Sequence, residues 1–251
     1  MRGAMLGAGW ARACPSPNFG PRRDGLRPEL IVLHYTAMQD ARAALDRLCD
    51  PRAEVSAHYL IGACGTLWQL VGENRRAWHA GAGCWAGRGD VNSRSIGIEL
   101  DNRGDHPFAA AQMATLERLL PEIMARWAIP PDGVIGHSDM APGRKSDPGP
   151  RFDWARLERL GLARPRGAQP AGDGGAERAG ADIGAEIGAE TGAAAQARFR
   201  ALATACGWCA ETPWPALLAA VRLRLRPGAA GGFGPRDLAA LARFAGSGAA
   251  A

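Results

Sequence analysis

Apolar residues along this chain switch between two periods. Leu30 to Leu33 is an unbroken run of β-favouring side chains, as in a strand buried on both faces, and it ends in His34-Tyr35-Thr36. Asp40 to Leu48 changes to helical spacing through Ala41, Ala44, Leu45 and Leu48, and Pro51 stops it. Val55 to Ile61 reads as a strand, Ala63-Cys64-Gly65 as a turn, and Leu67 to Val71 as the returning arm of a hairpin. Ser95 to Asp101 alternates: Ile96, Ile98 and Leu100 share one face, and Gly97, Glu99 and Asp101 share the other. Phe108 to Trp127 carries Met113, Leu116, Leu120, Ile123, Met124 and Trp127 at helical intervals, with a kink expected at Pro121. Val134-Ile135 is a short β-rich run that delivers His137 into a loop crowded with Pro and Gly as far as Pro150. Phe152 to Leu162 is a short amphipathic helix.

The same pattern divides the chain. Residues 1–28 are rich in Pro, Gly and Arg and read as an extended arm. Residues 29–164 hold the strands and helices of one domain. Residues 165–194 are low-complexity Gly, Ala and Glu with glycines four apart, too glycine-rich for a stable helix and so a linker. Residues 195–246 regain periodicity as three short helices punctuated by Pro213, Pro215, Pro227 and Pro235, a small helical module.

Composition changes little in this picture. An apolar content of 47% over 251 residues supports a sizeable core. The net charge of +5 suits an acidic partner such as an anionic wall polymer. No basic cluster is dense enough to argue for nucleic acid, and no apolar run reaches the ~20 residues of a membrane span. The opening residues MRGAMLGAGWARAC lack the apolar core of a secretory leader. The expectation is therefore a cytoplasmic protein, or a periplasmic one if the true start lies elsewhere. Of 6 cysteines, Cys206 and Cys209 alone have motif spacing, read as incidental or at most a local disulfide.

The chemistry-bearing residues converge on one reading. His34 stands at the carboxyl end of a buried strand, where α/β sheets present ligands. His137 and Asp147 sit in the rigid Pro/Gly loop. Two imidazoles and a carboxylate are the ligand set of a catalytic zinc, which leaves a coordination position open for water. Glu99 is a carboxylate in the middle of an apolar strand, costly unless used, and is the candidate general base. Lys145, two residues before Asp147, is the candidate donor to a developing oxyanion. Together they describe hydrolysis of an amide. Arg144 is a candidate grip for a substrate carboxylate, and Trp78, His79 and Asn92 are candidates to line the cleft from the Gly/Trp-rich loop after the hairpin.

The segments LIVLHYTA, SAHYLI, AWHAG, SIGIELDNRG and GHSDMAPGRKSDPGP resemble, in order, those of the type-2 N-acetylmuramoyl-L-alanine amidases. The resemblance covers about residues 29 to 162. It implies an α/β fold with a mixed central β-sheet flanked by helices. It also implies a zinc held by His34, His137 and Asp147, Glu99 as general base and Lys145 as transition-state stabiliser. The bond cut would join the lactyl group of N-acetylmuramic acid, or its 1,6-anhydro form, to L-alanine of peptidoglycan or a muropeptide. Where the phage and animal branch has Cys and Tyr, this chain has Asp147 and Ala57. The 195–246 module resembles, more faintly, a three-helix peptidoglycan-binding domain, without its Asp-Gly and Gln-Phe-Gln signatures. Two other classes stand beside this one. A non-catalytic peptidoglycan receptor would have lost a metal ligand. A glycosidase would pair Glu99 with Asp101, leaving both histidines and the lysine unexplained.

Overall fold

The structure, a computed structural model, describes residues 6–167 and 192–247. Most of the linker expected at residues 165–194 therefore lies outside the described residues. Eight strands appear among them: β1 Arg12–Ala13, β2 Phe19–Gly20, β3 Leu30–Tyr35, β4 Tyr59–Ile61, β5 Leu67–Gln69, β6 Arg76–Ala77, β7 Ser95–Leu100 and β8 Val134–Gly136. Six form one mixed sheet in the order β1-β5-β4-β7-β3-β8, and β2 pairs with β6 separately. β3 runs parallel to β7 and β8, whereas β4 and β5 form the antiparallel hairpin. This is the mixed central sheet with flanking helices that the resemblance implies.

Alternation along β3 explains the layers. Ile31 and Leu33 point to one side, where they pack with Ile96, Ile98 and Leu100 of β7 against Met113, Leu116, Leu120 and Ile123 of the long helix α3, Ala110–Trp127. Leu30 and Val32 point to the other side. The helices α1, Ala41–Cys49, and α2, Val91–Arg94, precede α3; α4, His137–Met140, and α5, Trp154–Arg159, follow it. The last three are α6, Ala193–Ala205, α7, Trp214–Leu225, and α8, Pro235–Gly246. Leu30 and Val32 share a core with Phe199, Leu217, Val221, Leu241 and Phe244 of these last three. On that same face α1 covers Leu60 with Ala44 and Leu48. The C-terminal helices and α1 thus cover one face of the sheet in part and leave the end of β3 open between them.

Several local expectations change. The helix α3 runs unbroken through Pro121: the missing N–H forfeits one backbone bond, and burial of Leu119, Leu120 and Ile123 holds the flanks. The first hairpin strand is shorter than Val55–Ile61, because the amides of Ser56 and His58 go to the carbonyls of Trp78 and Gly97 instead of a regular ladder. The N-terminal arm is not free. Arg12–Ala13 adds an edge strand parallel to β5, and the amide of Ala8 donates to Tyr59 Oη.

The C-terminal helices are tied to the first domain by more than apolar contact. Cys209 forms a disulfide with Cys84, 125 residues away, not with Cys206, which is a buried free thiol. A C-x-x-C spacing pairs cysteines locally only when no better-placed partner exists, and docking brings Cys84 within a Cα separation of 6.0 Å. Arg224 on α7 lies buried with its guanidinium 3.3 Å over the Trp154 ring and Nη1 3.7 Å from Asp139 Oδ2 on α4. No helix among the described residues is long and apolar enough to cross a membrane.

Candidate active site and metal centre

The register of the central strands sets the site. His34 on β3 is directly beside Glu99 on β7, so both side chains leave the same face at the carboxyl ends of parallel strands. β8 delivers His137 one residue past its end, as the first residue of α4. The following loop turns back sharply at Gly143, whose φ of +77° suits glycine. The amides of Arg144 and Lys145 both donate to the Ala141 carbonyl, and the amide of Ser138 donates to the Asp147 carbonyl. These bonds bring Asp147 back beside His137.

Three donor atoms meet there. His34 Nδ1 lies 2.9 Å from His137 Nδ1 and 2.9 Å from Asp147 Oδ2, and His137 Nδ1 lies 3.0 Å from that same oxygen. All three residues are buried. His137 Nε2–H donates to the Ala80 carbonyl at 2.9 Å, which leaves Nδ1 as the ring nitrogen turned toward the carboxylate and able to offer a lone pair. Acceptor facing acceptor at hydrogen-bond distance calls for a cation between them. Two imidazoles and a carboxylate, mutually within hydrogen-bond range, are the donor set that a catalytic zinc takes. The residues present fit the ion.

The electrostatics agree with that use. Burial, with the neighbouring His137, lowers His34 to about 4, so its ring stays neutral and available as a ligand. Burial pushes the Asp147 carboxyl up, but the neighbouring His137 and His34 rings outweigh it and hold the group below the ordinary carboxylate range. Glu99 behaves oppositely: burial, reinforced by Asp147, raises it well above an ordinary glutamate, against a smaller opposing effect of Lys145. Its Oε2 is sealed from water and has no hydrogen-bond partner. A carboxylate so placed is strongly basic, which a proton acceptor requires.

His34, Glu99, His137 and Asp147 open onto a cavity of about 410 Å3, whose walls include Trp78, Arg144 and Lys145. The structure therefore brings together both imidazoles, both carboxylates and the lysine. The four candidate cleft residues separate. Trp78 lines the wall, and Arg144 is also at the cavity, but its Nη2 donates to the carbonyls of Ala80 and Ala82 and clamps the loop. Asn92 is buried, with Oδ1 accepting from the amides of His79 and Ala80, so it shapes that loop from behind. His79 lies at the cavity floor, its Nδ1 3.0 Å from His34 Nε2 and its Nε2 3.2 Å from Ser95 Oγ. Asp101 accepts from the amide of Ala63 and does not line the cavity, so the carboxylate pair of a glycosidase does not form. Sequence reasoning passed over Ser95 and the Ala80 carbonyl. Ser95 heads the Ser95-Gly97-Glu99 alternation, a signal that was present; a backbone carbonyl leaves none.

The N-acetylmuramoyl-L-alanine amidase family model matches residues 24–150. Among known proteins, N-acetylmuramoyl-L-alanine amidase AmiD of Escherichia coli K12 is 42% identical over 152 residues, which cover 54% of this chain and 54% of that protein. The chain thus spans about half the length of that relative. Its solved complex with anhydro-N-acetylmuramic acid-L-Ala-D-γ-Glu-L-Lys superposes with a TM-score of 0.71 at 30% identity, over 88% of this chain and 90% of that one. The 1,6-anhydro-N-acetylmuramyl-L-alanine amidase AmpD of Citrobacter freundii is 35% identical over 62% of this chain and 94% of its own. The crystal structure of AmpDh3 from Pseudomonas aeruginosa gives a TM-score of 0.73 at 31% identity, over 88% of this chain and 92% of that one.

Proposed function

This chain belongs to the N-acetylmuramoyl-L-alanine amidase family, and on that footing we propose that it is a zinc-dependent hydrolase of muropeptides. Its substrate is the amide between N-acetylmuramic acid, ordinary or 1,6-anhydro, and L-alanine of the stem peptide. The observation that carries this reading is the meeting of three lone-pair donors beside an unpartnered basic carboxyl in one cavity.

His34, His137 and Asp147 are the residues that would hold the zinc, and a bound ion would supply an acidified water and a Lewis acid for the scissile carbonyl. Glu99 accepts the proton of that water at its carboxylate and returns it to the alanine nitrogen as the C–N bond breaks. The hydroxyl stays on the lactyl carbon, so a free lactyl acid and a free α-amine leave together. Lys145, on the wall of the same cavity, supplies a donor for the carbonyl oxygen as negative charge builds there, and one such donor is worth about 2.7–4 kcal/mol of barrier. Trp78 offers an aromatic wall to sugar or peptide. Arg144 keeps the Ala80–Ala82 loop closed over His137.

The Cys84–Cys209 disulfide supports action in an oxidising compartment such as the periplasm, because such bonds persist where thiols are not kept reduced. The test is to measure zinc content and to follow release of free stem peptide from anhydro-muropeptides. One zinc per chain and an unblocked L-alanine amine are expected. Glu99→Gln keeps the zinc and loses about 10²- to 10⁴-fold in turnover. New reducing sugar ends instead of new amines would overturn the assignment.

A further inference from the structure

His79 is fitted into the sheet too closely to be filling. It packs against β7 at Gly97, where a Cβ would stand 2.4 Å from His79 Cγ and 2.6 Å from Nδ1. Only glycine leaves that room. One step back on the same face of the strand, Ser95 Oγ meets His79 Nε2 at 3.2 Å. One step forward is Glu99. The face Ser95-Gly97-Glu99 thus presents a hydroxyl, a hole and the proposed base in a row.

The direction of each hydrogen bond follows from the next. Ser95 Oγ–H donates to the Val91 carbonyl at 2.6 Å, so its oxygen is left to accept. It accepts from His79 Nε2–H. A neutral His79 protonated at Nε2 has an Nδ1 lone pair, and that atom faces His34 Nε2 at 3.0 Å. His34 therefore carries its proton on Nε2 and turns a bare Nδ1 to His137 and Asp147. The backbone performs the same service for His137, through the Ala80 carbonyl. Asn92 Oδ1 fixes the amides of His79 and Ala80 at 3.0 and 2.8 Å, so one side chain anchors both supports.

We propose that His79 is a positioning residue: a neutral imidazole that accepts from His34 Nε2–H and, anchored by Ser95, sets the tautomer and ring orientation with which His34 grips the metal. Histidine ligands usually donate their second N–H to a carboxylate, a carbonyl or water. Here the acceptor is another histidine, which can accept only in one tautomer, and Ser95 selects it. This rests on the zinc reading above.

The test is zinc affinity, by competition with a chelator, for His79→Asn and His79→Phe alongside wild type. Asparagine places an amide oxygen near the position of Nδ1 and keeps the acceptor; phenylalanine keeps the ring volume and removes it. His79→Phe is expected to lose about 10- to 100-fold in affinity, and His79→Asn to stay close to wild type. A space-filling role gives the reverse order: affinity held by Phe, or lost equally in both variants, overturns the proposal. Nitrogen-15 NMR of the zinc-loaded wild type is a second measurement that needs no variant. His79 is expected to be protonated at Nε2 and not at Nδ1; a proton on Nδ1 overturns it. Wild type that binds no zinc sinks the amidase reading itself, whereas zinc-binding wild type with indifferent variants sinks only the role of His79.

Discussion

Gly97→Ala is the smallest change that reaches the proposed metal site without touching any of its three proposed ligands. The added methyl would stand 2.4, 2.5 and 2.6 Å from three ring atoms of His79, where ordinary contact begins near 3.4 Å. The imidazole must therefore retreat by roughly 1 Å, since the strand beneath it is hydrogen-bonded on both sides. That retreat stretches the 3.0 Å bond from His34 Nε2 beyond hydrogen-bond range. Two effects follow. Overpacking of this kind costs about 1–3 kcal/mol of folding stability. Loss of the acceptor behind a metal-binding histidine costs about 10- to 100-fold in zinc affinity. Urea denaturation of metal-free protein reads the first, and chelator competition reads the second. Gly89→Ala is the control, because its nearest neighbour would be 3.9 Å away. Zinc affinity and stability of Gly97→Ala equal to those of the control would refute the argument that His79 occupies that hole.

Two further outcomes are expected. Cys84→Ser opens a loop of 125 residues and should cost roughly 5 kcal/mol on the loop-entropy scale, read as a lower denaturation midpoint; a wild-type midpoint unmoved by reductant would count against the bond. His58 is lowered to about 3 by burial and by Arg22, so the unfolded chain binds a proton there that the folded chain does not. Stability should then fall with pH from about 6.5 toward 3 by up to about 1.4 kcal/mol per pH unit from this residue, and His58→Gln should flatten the slope of midpoint against pH. An equal slope in the variant would remove His58 as the cause.

Much of the site could be read along the chain because strand geometry is local. Residues two apart share a face, so Gly97 and Glu99 were placed together and away from Ile96, Ile98 and Leu100 before any neighbour was known. A histidine ending the buried run Leu30–Leu33 had to emerge at the carboxyl end of its strand, because the apolar residues before it are held inside. The chemistry of His34, His137 and Asp147 suggested a shared cation, since no other use suits that set so well. The helices of residues 195–246 announced themselves by period alone. Arg144 and His79 line the cavity and Asn92 stands behind it, and what each does depends on which atom faces which. Side-chain type does not tell a substrate grip from a loop clamp.

What only tertiary structure decided is whatever depends on two distant surfaces meeting. Cys209 chose Cys84 over Cys206 because α6 to α8 dock on the face of β3 that carries Leu30 and Val32. The arm around Arg12 became an edge strand because β5 offered unpaired backbone there. The His34–His79–Ser95 chain exists because a loop folds over a glycine in a strand, and its hydrogen-bond directions are set one after another from the Val91 carbonyl. Periodicity fixes which way a side chain points from its own backbone. Which atom it meets is settled by long-range packing, where shape and donor–acceptor sense must match at once, and no short stretch of residues encodes both partners.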